Sequence, residues 1–255
     1  MHLNLQQILI ENNTYCKNCE SELTEAYCQS CGQRSSVGKV TFKETFQDFF
    51  ATVFSLDAPF VKTLKLLFSN PGKLFRSYLS GQRKSYYKPV AFFILITLAH
   101  VLIRSLLDFN PLAKVTSLQN GNFDTTIFVE SGRFMIKNIN NILFLFVFSM
   151  AISFKIFFYN KHSLAEYVAV SFYLIGTYSI ITTLNLFFMK FINAEIQYLA
   201  VLLMGIYFIL MATSFFQKKK IFVAFKAVFA YFIAFLLYFI FGFGLSFLIV
   251  FFKVI

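Results

Sequence analysis

The chain has 255 residues, 58% hydrophobic and 20% aromatic, with only 14% charged. A soluble domain carries roughly 25% charged residues, so there are too few here to coat a water-exposed globule. The net charge of +11 points to an anionic neighbour, lipid headgroups or nucleic acid, and the placement of the charge decides between them.

The first fifteen residues, MHLNLQQILIENNTY, have no basic start, long apolar core or small-residue cleavage site. The N-terminus is therefore expected to stay on the cytoplasmic side. All four cysteines follow in CKNCESELTEAYCQSC, with spacing C-x2-C-x8-C-x2-C. A Cys-x-x-Cys turn brings two thiolates within reach of one ion, and two such turns complete a tetrahedral site. Cys16, Cys19, Cys28 and Cys31 are the expected zinc ligands. The alternative is a pair of disulfides or free thiols, and a reducing cytoplasm disfavours disulfides. No βαβ pattern accompanies the pairs, as a redox Cys-x-x-Cys would require. Four cysteines saturate zinc and leave no open position for water, so the site reads as structural. About 20 residues with few apolar side chains do not fold without metal. Gly32 after Cys31 suits the left-handed backbone of such a turn, whereas Glu20 after Cys19 predicts either slight strain or a different geometry in the first turn.

Residues 39–88 read as an interfacial segment. Phe42, Phe46, Phe49, Phe50, Val53 and Phe54 recur at helical spacing opposite Lys43, Glu44, Gln47 and Asp48. A second short helix follows Pro59, with Phe60, Leu64, Leu67 and Phe68 apolar. Beyond the Asn70-Pro71-Gly72 turn signal, the basic residues Arg76, Arg83, Lys84 and Lys88 mix with Phe75, Tyr78, Tyr86 and Tyr87. Cations among aromatics just before a span suit anionic headgroups. Arg76, Tyr78, Arg83, Lys84, Tyr87 and Lys88 are the candidate lipid or partner site, and a plain anchoring collar is the competing reading. Nucleic acid is disfavoured, because basic-aromatic composition alone is a weak signal for it.

Five apolar stretches approach the roughly 20 residues a spanning helix needs. They are Pro89–Leu107, Ile139–Tyr159, Leu164–Met189, Ile196–Phe216 and a final run from Ile221 to Phe252. The final run is too long for one upright span, so its span proper is expected over Val228–Phe252. Gly242 and Gly244 there either kink the helix or admit a close neighbour. The basic connections before the first span, at Lys155 and Lys161, and at Lys218–Lys220 fall on one side if there are five crossings. That predicts the N-terminus inside and the C-terminus outside. The 108–138 stretch reads as a loop of mixed charge.

Ionisable groups within the spans are few. His100 and Arg104 lie one turn apart, Lys155 and Lys226 sit near ends, and Glu166 is placed to pair with one of those lysines. The third span is the most polar, with Tyr167, Ser171, Tyr178, Thr182 and Asn185 on one helical face. That face is either helix–helix glue or, with His100 and Arg104, the lining of a membrane path. No carboxylate lies at a midplane, which argues against an ion-coupled transporter. No Gly-rich phosphate loop, His-Glu-x-x-His or Gly-x-Ser-x-Gly occurs, and His2, His100 and His162 are the only histidines. No enzyme is expected.

The stretch YCKNCESELTEAYCQSCGQ resembles the short zinc ribbons that begin many bacterial proteins. KTLKLLFSNPGKLFRSYLSGQRKSYYKPVAFFIL resembles a bacterial family of zinc-ribbon membrane proteins, the domain of unknown function 3667. Thr63, Leu64, Leu67, Pro71, Gly72, Tyr78, Leu79, Gly81, Arg83, Tyr87 and Pro89 carry the match, over roughly Tyr15 to Leu98. The resemblance implies a bacterial inner-membrane protein and brings no established activity. The expected fold is an all-α integral membrane protein with about five spans, preceded by amphipathic interfacial helices and a small zinc ribbon. The expected domains are a cytoplasmic ribbon over 1–38, interfacial helices and collar over 39–88, and a transmembrane domain over 89–255. The expected function is a docking, adaptor or sensor module on a membrane anchor, with a protein partner through the ribbon. The alternative is a transporter, channel or lipid-handling protein.

Overall fold

A computed structural model of the chain describes residues 15–37, 58–107, 127–139, 142–193, 196–217 and 220–254. The expected Phe-rich helix around Phe42–Phe54, His2, Lys218 and Lys219 lie outside these residues, as does most of the 108–138 loop.

Eight α-helices and one 3-10 turn make up the described fold. They are α1 (Ala58–Ser69), α2 (Pro71–Leu79), α3 (Pro89–Leu107), α4 (Ile127–Lys137), α5 (Leu143–Phe157), α6 (Leu164–Phe191), α7 (Leu199–Phe216) and α8 (Lys220–Val254), with the turn at Ile196–Tyr198 before α7. Local chemistry sets several boundaries. The Asn70 side chain accepts from the Lys73 amide at 3.0 Å and Pro71 opens α2, so that turn becomes a helix start. At α6, Ser163 and Glu166 form a reciprocal capping box.

Helices α3, α6, α7 and α8 are long and apolar enough to cross a membrane. The second expected span is shorter than its sequence range. Helix α5 has 15 residues, a rise of about 22 Å against the roughly 30 Å hydrocarbon core. The turn at Phe158–Lys161 stops it, and the Lys155 ammonium binds the Tyr159 and His162 carbonyls there. Its Phe146, Val147, Met150, Ala151 and Phe154 are buried in the bundle. The 108–138 stretch, expected as a loop, ends in α4, whose Phe128 and Met135 pack on α8.

The apolar helices alternate in direction. Side-chain pairs Thr97–Ser179 and His100–Thr183 set α3 parallel to α6, whereas Phe154–Tyr167 and Phe146–Tyr178 set α5 antiparallel to it. Helix α6 is the central strut, buried without interruption from Glu166 to Thr177. Helix α8 shows why an all-apolar sequence still has an inside. Val223, Ala227, Ala230 and Ala234 are buried on one stripe, whereas Phe222, Phe225, Phe229, Phe232 and Phe239 are exposed on the other. Lipid is as apolar as the core, so helices associate through close backbone packing, which small residues permit. Gly242 serves that end: a Cβ there would meet Met135 Cε at 2.9 Å. Helix α8 runs unbroken through it.

Candidate metal centre and membrane chamber

The cysteines sit on two matching turns. Tyr15–Glu22 and Tyr27–Arg34 are single antiparallel bridges that close each turn. Amides of Glu20 and Gly32 donate to the carbonyls of Cys16 and Cys28, both at 2.8 Å. Glu20 and Gly32 both have positive φ, 60° and 70°. Gly32 adopts this without penalty, whereas Glu20 carries the expected strain.

The four sulfurs lie within 4.8 Å of one another, with Cys16–Cys31 and Cys19–Cys28 at 3.6 Å. A tetrahedral zinc with bonds of about 2.3 Å separates its sulfurs by about 3.8 Å. A disulfide needs about 2 Å, so these are four thiols with the spacing of one metal site. Cys16 and Cys28 are buried, and the Asn18 amide points at Cys16 Sγ at 3.5 Å. Hydrogen bonds with Ser21 draw the Cys19 thiol down to about 6, whereas burial and the other three sulfurs push Cys31 up to about 12. Without a cation the cluster does not ionise fully at neutral pH. A divalent metal displaces the remaining protons, so its affinity falls as pH falls.

The module is anchored to the loop between α2 and α3. Gln33, 5% exposed, donates from Nε2 to the Gly81 carbonyl at 2.8 Å and accepts at Oε1 from the Lys84 amide at 3.2 Å. Asn18 Oδ1 accepts from the Ser85 amide at 3.1 Å and its hydroxyl at 2.5 Å. Gly81 has φ +117°, and a Cβ there would lie 2.9 Å from Lys17 Cδ. Asn18 lies between two ligands and Gln33 two residues after the last. Sequence reading missed both, because their partners are 67 and 51 residues away.

The basic-aromatic collar divides. Tyr78 and Tyr87 are 6% and 2% exposed, which corrects their placement against headgroups. Tyr78 packs edge-on to Tyr173, and the Tyr87 amide donates to Thr63 Oγ1 at 2.8 Å while its carbonyl accepts from the Tyr173 hydroxyl. Arg76 donates to the carbonyls of Ser214 and Phe215 and so satisfies the last turn of α7. Gly72 lies against the same turn, where a Cβ would come within 2.4 Å of Ser214. These residues tie α2 to the bundle. Lys84 remains exposed, with Arg83 and Lys88 half-buried. Glu166 faces His162 at 3.6 Å, and the Lys155 and Lys226 ammonium groups instead take backbone carbonyls.

At the opposite end the five expected path residues converge. His100, Arg104, Tyr178, Thr182 and Asn185 all line one cavity of about 260 Å³. Its walls include Leu143, Phe146, Phe235 and Tyr238. The face of α6 is thus both glue and lining. Tyr167 donates to Phe158 O near the cysteine-bearing end, whereas Tyr178, Thr182 and Asn185 reach the chamber.

Residues 57–100 match a family described as protein of unknown function (DUF3667), which bears out the resemblance read from the sequence. The match covers α1, α2, the loop that receives the cysteine module, and the first turns of α3. No curated protein and no solved structure matches the chain.

Proposed function

We propose that the chain is a non-enzymatic inner-membrane adaptor or sensor, in which a zinc-held module reports on, or docks a protein partner to, the membrane bundle. One observation carries this reading: the two faces of the module differ. Asn18 and Gln33 grip the Gly81–Ser85 loop, whereas Tyr15 and Tyr27, at equivalent positions before each turn, are 62% and 60% exposed. Exposed tyrosines on a rigid support are common anchors of protein interfaces. The module lies on the cytoplasmic side in this reading, with the C-terminus outside, and Arg83, Lys84 and Lys88 neighbour anionic headgroups. The test is tagged purification from native membranes, wild type beside Tyr15→Ala/Tyr27→Ala and Cys28→Ser/Cys31→Ser. A protein retained by wild type and lost from both variants supports the adaptor. Identical co-purifying proteins in all three contradict it.

A second reading stands on the chamber. Five polar residues from two helices meet in one cavity, which favours a bundle that handles a lipid or solute. Its test is movement of lipid or solute by the purified protein in liposomes.

A further inference from the structure

Most polar groups of the chamber find their partners inside the protein. The Thr182 hydroxyl donates to Ser179 O at 3.0 Å. The Asn185 amide donates to Met189 Sδ at 3.5 Å and Ile196 O at 3.2 Å. The Tyr238 hydroxyl donates to Ile139 O at 3.2 Å. Arg104 also lines the cavity and is already engaged in an interaction of its own.

His100 and Tyr178 differ. The Thr183 hydroxyl donates to Ser179 O at 2.7 Å, so its contact with His100 Nδ1 at 2.8 Å makes that nitrogen the donor. In the neutral ring Nε2 is then an acceptor. His100 is only 6% exposed, and the Tyr178 ring stands edge-on against Phe146 with centroids 6.0 Å apart, so both side chains are held in place. Among the described residues neither His100 Nε2 nor the Tyr178 hydroxyl has a hydrogen-bond partner. An acceptor and a hydroxyl set in a wall of hydrocarbon and aromatic ring cost free energy until a guest completes them.

Size and charge narrow the guest. The cavity of about 260 Å³ lies below the roughly 300–1,000 Å³ of pockets that enclose whole small molecules. It suits a headgroup with the first carbons of one chain. The charge on Arg104 opposes a cationic guest, and among the described residues no Asp or Glu lines the cavity to offset it. One uncharged acceptor beside one uncharged donor matches a neutral hydroxyl.

We infer that this chamber binds a neutral, hydroxyl-bearing amphiphile with a single hydrocarbon chain. The guest's O–H donates to His100 Nε2, its oxygen accepts from the Tyr178 hydroxyl, and its chain lies along Phe146, Leu186 and Phe235. The inference rests on the ligand-handling reading and adds the chemistry of the ligand.

The experiment uses the full chain in phosphatidylcholine nanodiscs. Binding of a tritiated long-chain primary alcohol is compared with that of its methyl ether and of the carboxylic acid of equal length. The ether accepts from Tyr178 but has no proton to give His100. The variants are His100→Leu, Tyr178→Phe and, as a control at the same end, Lys190→Gln, which removes a cation bound to the Leu107 carbonyl. In the wild type the alcohol should bind about fivefold or more tightly than the ether. In His100→Leu the alcohol should fall to the level of the ether. Tyr178→Phe should weaken alcohol and ether alike and keep their ratio, and Lys190→Gln should match the wild type. Circular dichroism checks that each variant is folded; should His100→Leu fail, the wild-type ratio and Tyr178→Phe still decide. Equal binding of alcohol and ether, a preference that survives in folded His100→Leu, or tighter binding of the acid overturns the inference and leaves the ligand-handling reading standing. Binding of none of the three probes also overturns the inference, and the ligand-handling reading then stands or falls on the liposome assay.

Discussion

Between Tyr15 and Val37 the buried residues are Cys16, Cys28 and Gln33, whereas α6 alone buries every residue from Glu166 to Thr177. The first region has no apolar core to hold it, and its fixed shape comes from four convergent sulfurs and a few directed hydrogen bonds. The second has aromatic packing in excess and uses polar groups sparingly. A metal held by the four sulfurs would do in the one region what interdigitated side chains do in the other, and each should fail independently under its own perturbation.

The sharpest separation comes from removing metal. In Cys28→Ser/Cys31→Ser, residues 15–37 should lose all protection from proteolysis and bound metal should fall from one equivalent to none. Structural zinc contributes roughly 10–16 kcal/mol in comparable small modules. Circular dichroism in detergent should show the bundle's helices intact. Acid should act in the same direction, with metal released as pH falls and loading at neutral pH liberating protons from the cluster, Cys31 among them. Proton release is read in weakly buffered solution.

Packing is tested next. Gly72→Ala forces a Cβ to within 2.4 Å of the Ser214 backbone, whereas nothing lies within 4 Å of a Cβ at Gly244. Gly72→Ala should lose about 1–3 kcal/mol in thermal or denaturant unfolding, and Gly244→Ala should be near neutral. Equal effects would show that the contact between α2 and α7 is not the constraint described here. Metal content should not change in either variant.

The anchoring bonds lie between the two regions, and their removal should have a smaller effect. Gln33→Ala strips partners from the Gly81 carbonyl and the Lys84 amide. It should cost about 1–3 kcal/mol in loop closure, read by amide exchange over 81–85, with metal retained. The smallest expected effect is at Glu20, whose φ of 60° suits glycine. Glu20→Gly should tighten metal binding about two- to fivefold, equivalent to roughly 0.4–1 kcal/mol, measured by chelator competition.

The legibility of these features follows their range along the chain. The cysteine turns, including the strain at Glu20, were readable because a Cys-x-x-Cys turn is set within a few residues. Helix α3 ran as its apolar residues indicated, from Pro89 to Leu107. Of the α6 face read from helical spacing, Tyr178, Thr182 and Asn185 line the same cavity as His100 and Arg104, whereas Tyr167 bonds to the Phe158 carbonyl. Composition misled at Arg76, Tyr78 and Tyr87, because cations beside aromatics look alike whether they meet headgroups or close a helix end. Helix α4 was hidden by the mixed charge around Ile127–Phe128 and Phe134–Met135. The anchoring by Asn18 and Gln33 left no sequence signal, since it depends on a loop brought near by the α1–α2 turn.

Through Asn18 and Gln33 the metal-binding module braces the Gly81–Ser85 loop, which leads into the first span. Amide exchange on the full-length protein in nanodiscs, with and without a zinc chelator, tests this bracing most directly. The Lys84 and Ser85 amides should lose protection together with residues 15–37 when metal is withdrawn, while the Tyr87 amide, held by Thr63, and the interior of α6 stay protected. Release of residues 15–37 with the Lys84 and Ser85 amides unchanged would contradict it.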